Sequence, residues 1–174
     1  MTGQAYKFGA VKGVGGTFGF DFNTKNDGYA SKKRMFVFGP TFMMDVPGML
    51  NLSVLLLKES NAPTGVSRYS YKVHPMFEAV WGLPIGGSGF SFEGLAMFIG
   101  SKGKDEFGGQ TKAETNVTAK VMYDAGPMFG GPKGTLKLGV AYQYWKNKFG
   151  NDASLPGNAG SFAKTPMLRA EYHF

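Results

Sequence analysis

The sequence predicts an all-β fold: an antiparallel up-and-down transmembrane β-barrel of about eight strands, formed by residues 1-174 as a single domain. Three observations carry this reading. Segments along the chain alternate apolar with polar residues, the period of a strand that faces two different environments. Long polar connections alternate with short turns. Glycine is abundant (27 of 174 residues), as are Phe (16) and Tyr (8), while only 18 % of residues are charged. Mean hydropathy is −0.17. The longest apolar run, Leu50 to Leu57, is interrupted by Asn51 and Ser53 and is far shorter than a membrane-spanning helix requires.

About eight strand-like segments follow one another along the chain. The first spans about Val11 to Phe22, with Phe18, Phe20 and Phe22 alternating against Thr17, Gly19 and Asp21, and glycines that suit the bent packing of a barrel wall. The second runs from about Arg34 to Val46 and sets Phe36, Phe38, Phe42 and Met44 on one side; Pro40 implies a bulge or a lost ladder bond within it. The third, Met49 to Leu57, is apolar on both faces. The fourth, Tyr69 to Leu83, reads as the longest clean alternation, with Tyr69, Tyr71, Val73, Phe77, Ala79, Trp81 and Leu83 outward and Ser70, Lys72, His74, Met76 and Glu78 inward. Aromatic residues at both ends of that outward face fit two interfacial girdles.

The fifth, Phe90 to Ile99, opposes Phe90, Phe92, Ala96 and Phe98 to Ser91, Glu93 and Met97. The sixth places Val117, Ala119, Val121 and Tyr123 against Asn116, Thr118, Lys120 and Asp124. In the seventh, Leu136, Leu138, Val140, Tyr142 and Tyr144 face away from Lys137, Gln143 and Trp145. The eighth, Pro166 to Phe174, divides Leu168, Ala170, Tyr172 and Phe174 from Met167, Arg169, Glu171 and His173, and the chain stops on an aromatic residue.

The connections decide between barrel types. Those at 23–33, 58–68, 101–114 and 146–165 are long and polar, whereas those at 45–48 and 84–89, and the glycine-rich turn at 126–134, are short. A soluble Greek-key sandwich has no reason to sort loop lengths by end, and a lipocalin-like barrel is the weaker fit. An outer-membrane barrel keeps short turns on one side and long loops on the other. The expected location is therefore the outer membrane of a Gram-negative bacterium. The start, Met1-Thr2-Gly3-Gln4 and then Tyr6-Lys7-Phe8, carries no apolar signal region and reads as a mature start or a cytosolic one.

Several segments carry a family resemblance: Phe38-Gly39-Pro40, Asp45-Val46-Pro47-Gly48, Trp81-Gly82-Leu83-Pro84, Phe92-Glu93-Gly94 and, most specific, Tyr144-Trp145-Lys146-Asn147-Lys148-Phe149-Gly150. Over nearly all its length the chain resembles the Tsx-type nucleoside-specific channel family, in particular members described as outer envelope or nucleoside-binding proteins. The resemblance implies passive nucleoside uptake and a barrel of about twelve strands. It also implies that Phe8-Gly9-Ala10-Val11-Lys12 aligns with the middle of such proteins, about four strands into their barrel.

The inward residues are the candidate lumen and ligand-binding set: Lys72, His74, Glu78, Glu93, Lys120, Asp124, Lys137, Gln143, Trp145, Arg169 and Glu171. At about eight strands a barrel interior is just filled by side chains. Enclosed charges there must pair, since an isolated ion carries a desolvation penalty of several kcal/mol. The expected plug pairs Arg169 with Glu171, Glu78 or Glu93, and Lys120 or Lys137 with Asp124. In a wider barrel the same groups would instead line a pore and meet sugar hydroxyls and base edges. A compact, non-conducting barrel, either a minimal membrane scaffold or a shortened chain, is thus the alternative to a channel.

Other chemistry is weakly supported. His74 and His173 share the polar face with Ser70, Ser91 and carboxylates, but no nucleophile motif accompanies them, and no enzymatic activity is expected. The net charge of +7 suits a polyanion. Nucleic acid is disfavoured because the aromatics alternate on strands and do not interleave with the basic loops. Membrane lipid and lipopolysaccharide are the expected partners: Lys25, Lys32, Lys33, Arg34, Lys58, Arg68, Lys102, Lys104, Lys146 and Lys148 could meet phosphates or be solvated. No cofactor or metal is expected; Asp27, Asp105, Glu106 and Asp152 are too scattered to argue for a calcium cage. With no cysteine there is no disulfide, and a monomer is expected.

Overall fold

A computed structural model describes residues 9–24, 32–63 and 65–174. It shows an all-β, antiparallel, up-and-down sheet of nine strands in one continuous meander. The strands are β1 (Val11–Phe22), β2 (Arg34–Met44), β3 (Met49–Asn61), β4 (Tyr69–Ser70), β5 (His74–Pro84), β6 (Phe90–Ile99), β7 (Glu114–Asp124), β8 (Leu136–Lys146) and β9 (Phe162–Tyr172). The order is β1-β2-β3-β5-β6-β7-β8-β9, with the two-residue β4 attached to the end of β3. Among the described residues the helical segments are short 3-10 turns, such as Gly126–Phe129.

Cross-strand register carries the alternation around the sheet. Phe18 pairs with Phe38, Phe38 with Leu56, Val54 with Phe77, Phe77 with Phe98, Phe92 with Val121, Val121 with Val140 and Val140 with Leu168. These side chains share one face, which stays exposed: Phe18 is 70 % accessible, Phe38 58 % and Leu168 89 %. On the other face Leu55, Leu57 and Met76 form a small buried cluster supported by Met35, Val37, Met97 and Ile99. Asp21 on β1 and Phe149 beyond β8 line the same cavity, so the sheet curls with its polar face inward.

The outward face is graded. Rings of Phe20, Phe22 and Phe36 touch in series at the long-loop end, with centroids 5.5 Å apart, as do Tyr144 and Phe162 at 5.4 Å. Near the short turns Phe90 meets Tyr123 at 4.8 Å and Trp81 meets Phe92 at 5.5 Å. Between the two aromatic bands lie Leu52, Val54, Ala79, Ala96, Val117, Ala119 and Val140. The Trp81 ring lies across Gly94, where a Cβ would come within 2.3 Å of it, so an aromatic plate fills the gap the glycine leaves in the ladder.

Three expectations need correction. The stretch from Tyr69 to Leu83 is not one strand: residues 71–73 leave the ladder, so Tyr71 turns inward and is 5 % exposed while Val73 is 57 % exposed. The break shifts the phase, and Tyr69 and Tyr71 stack edge to face at 5.3 Å on the inner side. The third strand continues past Leu57 to Asn61, and the last begins at Phe162, four residues before the expected Pro166. Of the two outcomes expected at Pro40, the lost ladder pairing is the one found: pairing with β3 lapses there while the register is kept, and the irregularity between β1 and β2 lies between Val11 and Gly13.

The sheet also does not close. Among the described residues the outer edges of β1 and β9 pair with nothing. The concave side holds the wall side chains Met35, Leu57, Met76, Met97, Ile99 and Trp145 and the ionic groups described next, and loop residues Lys102, Glu106 and Phe107 lean in over them.

Candidate functional site

The concave wall carries two ionic clusters. At the short-turn end, register brings Glu93 beside Lys120 and Lys137 beside Glu171. Lys137 Nζ lies 2.6 Å from Glu93 Oε1, Lys120 Nζ 3.3 Å from Glu93 Oε2, and Lys120 Nζ 2.5 Å from Glu171 Oε1. Ser91 Oγ donates to Glu93 at 2.7 Å. The result is an alternating base–acid–base–acid chain across β6 to β9 with no excess charge. Its members are partly hydrated, so each pair contributes on the order of 1 kcal/mol or less.

Two expected partners are elsewhere. Asp124 accepts hydrogen bonds from the backbone N–H of Gly126 (3.3 Å) and Gly134 (2.8 Å), holding the β7–β8 turn instead of pairing with Lys120 or Lys137. The turn's amide donors are closer to its carboxylate than any ammonium. Arg169 is exposed and, among the described residues, forms no ion pair. It lines a shallow groove with Glu93, Lys120 and Glu171.

The second cluster sits at the long-loop end and is better enclosed. Glu59, 5 % exposed, pairs with Lys33 at 3.2 Å and with Lys102. Lys102 Nζ also lies 4.2 Å from the centre of the Tyr71 ring, a cation–π contact. Tyr71 donates its hydroxyl to Glu106 at 2.5 Å, and Asn61 Nδ2 donates to the other oxygen of Glu106 at 3.3 Å. Burial, and then the bond to that carboxylate, push the Tyr71 hydroxyl well above the usual phenol range.

These groups, with Asp21, Phe107, Thr111, Phe149 and Asn151, enclose a cavity of about 400 Å³, within the size range of small-molecule sites. Aromatic faces and paired polar groups suit a flat, polar solute. The Tyr144–Gly150 segment shapes one wall. Asn147 and Phe149 adopt positive φ of 55° and 60°, a conformation side chains rarely hold without surrounding support. Asn147 Nδ2 donates to Ala113 O at 2.7 Å and Lys112 N to Gly150 O at 2.8 Å, which fixes the turn. Trp145 supports Phe149 edge to face at 5.5 Å while its indole N–H donates to Glu114 at 2.6 Å.

The remaining candidates are dispersed. Lys72 lies exposed in the break before β5, outside the inward row. His74 is 3 % exposed, with Nδ1 2.8 Å from Lys72 O, so that nitrogen carries the proton and the ring is a buried structural group. Glu78 lies on the inner wall between Ser53 and Met97 in register. Gln143 contacts Asn116 at 3.4 Å. Neither histidine bonds a serine among the described residues; His173 faces Glu171 at 3.8 Å. No three His, Asp or Glu groups converge as metal ligands would among the described residues. Asp105 serves its own loop, accepting from Phe107 and Gly109, while Asp152 accepts from Ser154 and pairs with Lys112 of the preceding connection at 3.4 Å. Lys25 and Asp27 lie outside the described residues.

Sequence reasoning missed Lys33, Glu59, Tyr71, Lys102 and Glu106 as a group. The available signal was Glu59 itself, two residues beyond Leu57 and in phase with Leu55 and Leu57. Compared with known proteins, the chain matches no family model, no curated protein and no solved structure.

Proposed function

We propose that this sheet forms most of the wall of an outer-membrane β-barrel that passes a small polar solute, nucleosides being the class implied by the resemblance to Tsx-type channels. The observation that carries the reading is the sorting of side chains. Asp21, Glu59, Glu78, Glu93, Glu114, Asp124 and Glu171 all take inward positions, while Phe18, Phe38, Phe77, Phe98 and Leu168 are exposed on the convex face. An apolar surface this continuous needs a cover, and each large side chain moved from water into hydrocarbon contributes about 1.5–3 kcal/mol. The aromatic bands above and below an aliphatic belt fit a bilayer.

The free edges of β1 and β9 set a condition on this reading. Unpaired peptide groups in hydrocarbon cost several kcal/mol each, so in a membrane these edges must be joined to further strands, to a second copy or to each other. The loop-end cavity then lies at the mouth, where Tyr71, Phe107 and Phe149 offer stacking faces and Glu59, Asn61 and Glu106 offer polar contacts for a base and a sugar. The test is conductance of the reconstituted chain in a planar bilayer. Open steps that added nucleoside blocks support the proposal, and a bilayer that stays silent at high protein dose overturns the channel. One observation favours a compact, non-conducting barrel as second reading: the Lys137–Glu93–Lys120–Glu171 chain stretches across the inner wall. It predicts silence together with a folded, heat-modifiable band on gels.

A further inference from the structure

We infer that the convex face at the long-loop end binds the phosphate groups of a phosphorylated glycolipid headgroup. This rests on the membrane reading above and adds a ligand on the opposite side of the wall from the cavity. Charges on the strands are sorted by sign as well as by face: beside the inward carboxylates, the outward charges at this end, Arg34, Lys58, Lys146 and Lys164, are all cationic.

Arg34 belongs to a formed hollow. Lys32, Arg34 and Arg68 surround a space of about 340 Å³ whose floor includes Phe22 and whose rim includes Asn23 and Thr24. Arg68 is held in place: its Nη1 donates to Lys32 O and to Ser60 Oγ, both at 3.1 Å. Lys32 in turn is fixed by its backbone N–H donating to Asn61 Oδ1 at 3.1 Å. A guanidinium has five N–H donors, so Arg68 keeps its remaining edge for a ligand. Among the described residues none of Lys32, Arg34 and Arg68 forms an ion pair. Lys33, one residue away, points inward and is neutralised by Glu59. The cations left outside therefore lack an acid of their own.

Three cations without a carboxylate, one of them held by two hydrogen bonds, favour a multiply charged anion, and two guanidinium forks suit phosphate oxygens. Position selects a lipid over a soluble anion. The hollow opens directly beyond the aromatic series Phe20, Phe22 and Phe36, which in the membrane reading lies at headgroup depth. A headgroup held there lets its acyl chains run down the exposed Phe20 and Phe38 faces.

The test uses the full chain folded in neutral detergent, with bis-phosphorylated lipid A, the same lipid stripped of phosphate, and inorganic phosphate as probes, read by native mass spectrometry and by the shift of the unfolding midpoint. The wild type is expected to hold the phosphorylated lipid about tenfold more tightly than the stripped one, and R34Q/R68Q to lose that preference. K32Q, which leaves Arg68's anchoring contacts to main chain and Ser60 in place, is expected to lose part of it and keeps the test decisive if the double variant does not fold. Equal retention of both lipids by the wild type, an undiminished preference in the variants, or full displacement by inorganic phosphate at equal concentration would each overturn the inference. Flotation with zwitterionic phosphatidylcholine vesicles, which carry no net charge, separates the two readings. A chain that fails to float defeats the membrane assignment; one that floats without phosphate preference defeats only the lipid site.

Discussion

The two inner ionic clusters contain similar groups but are built differently. The short-turn cluster places one charge on each of four neighbouring strands: ladder register sets Glu93 beside Lys120 and Lys137 beside Glu171, and the two lysine side chains reach across the wall to the other carboxylate. The long-loop cluster draws Glu59 from a strand end, Lys33 from the entry to β2, and Lys102 and Glu106 from one connection, and it adds an aromatic ring. The first stays accessible to water; the second encloses a carboxylate almost fully. Pairs made by register tolerate loss, since water can replace a partner, whereas pairs made by loop closure hold the loops in place and leave a stranded charge when broken.

Substitutions can break or sharpen this contrast. The largest effect is expected for Glu59→Ala, which leaves two ammonium groups facing each other beside Tyr71; a loss of about 3–5 kcal/mol is expected in urea unfolding followed by tryptophan fluorescence. An effect below that of any short-turn variant would show that the two clusters do not differ. Tyr71→Phe removes the donor to Glu106 and should cost about 1–2 kcal/mol, with faster proteolysis of the 101–113 connection as a local readout. Lys120→Met removes the central ammonium of the short-turn chain and is expected to cost about 1 kcal/mol, shrinking further in high salt. Ser91→Ala, which removes one donor to Glu93, should fall below about 0.5 kcal/mol on the same measurement.

A pH titration sharpens the comparison from the loop side. The Tyr71 hydroxyl is raised in the folded chain by burial and by Glu106. Its contribution is therefore complete below the ordinary phenol value near 10 and is lost as pH rises from there through the folded value. The wild type should lose stability above about pH 10 more steeply than Tyr71→Phe, and superimposable curves would remove Tyr71 from the account.

Much of the sheet was legible because alternation is a strong signal wherever one face meets a different environment. The outward series Phe36, Phe38, Phe42 and the inward series Lys120, Lys137 and Glu171 lie where the period of two puts them. The failures have local causes. Tyr69 and Tyr71 keep perfect sequence phase with Phe77 and Trp81, yet three residues that leave the ladder reverse their side, and nothing in the composition of Tyr71-Lys72-Val73 announces such a break. Asp124 is in phase, but nearby turn amides satisfy it before a lysine can. Lys102 and Glu106 belong to a polar connection, and whether such residues point to solvent or fold back over the wall depends on contacts far apart in the chain, such as Asn61 with Glu106 and Lys72 with Lys102.

The edges left by β1 and β9 have an arithmetic consequence. Along the meander from β1 to β9 every neighbour reverses direction, so the first and last staves run opposite ways. A ring that keeps this alternation can be completed only by whole hairpins, never by a single added strand. Its circumference, and with it the width of the bore, can therefore change only in steps of two.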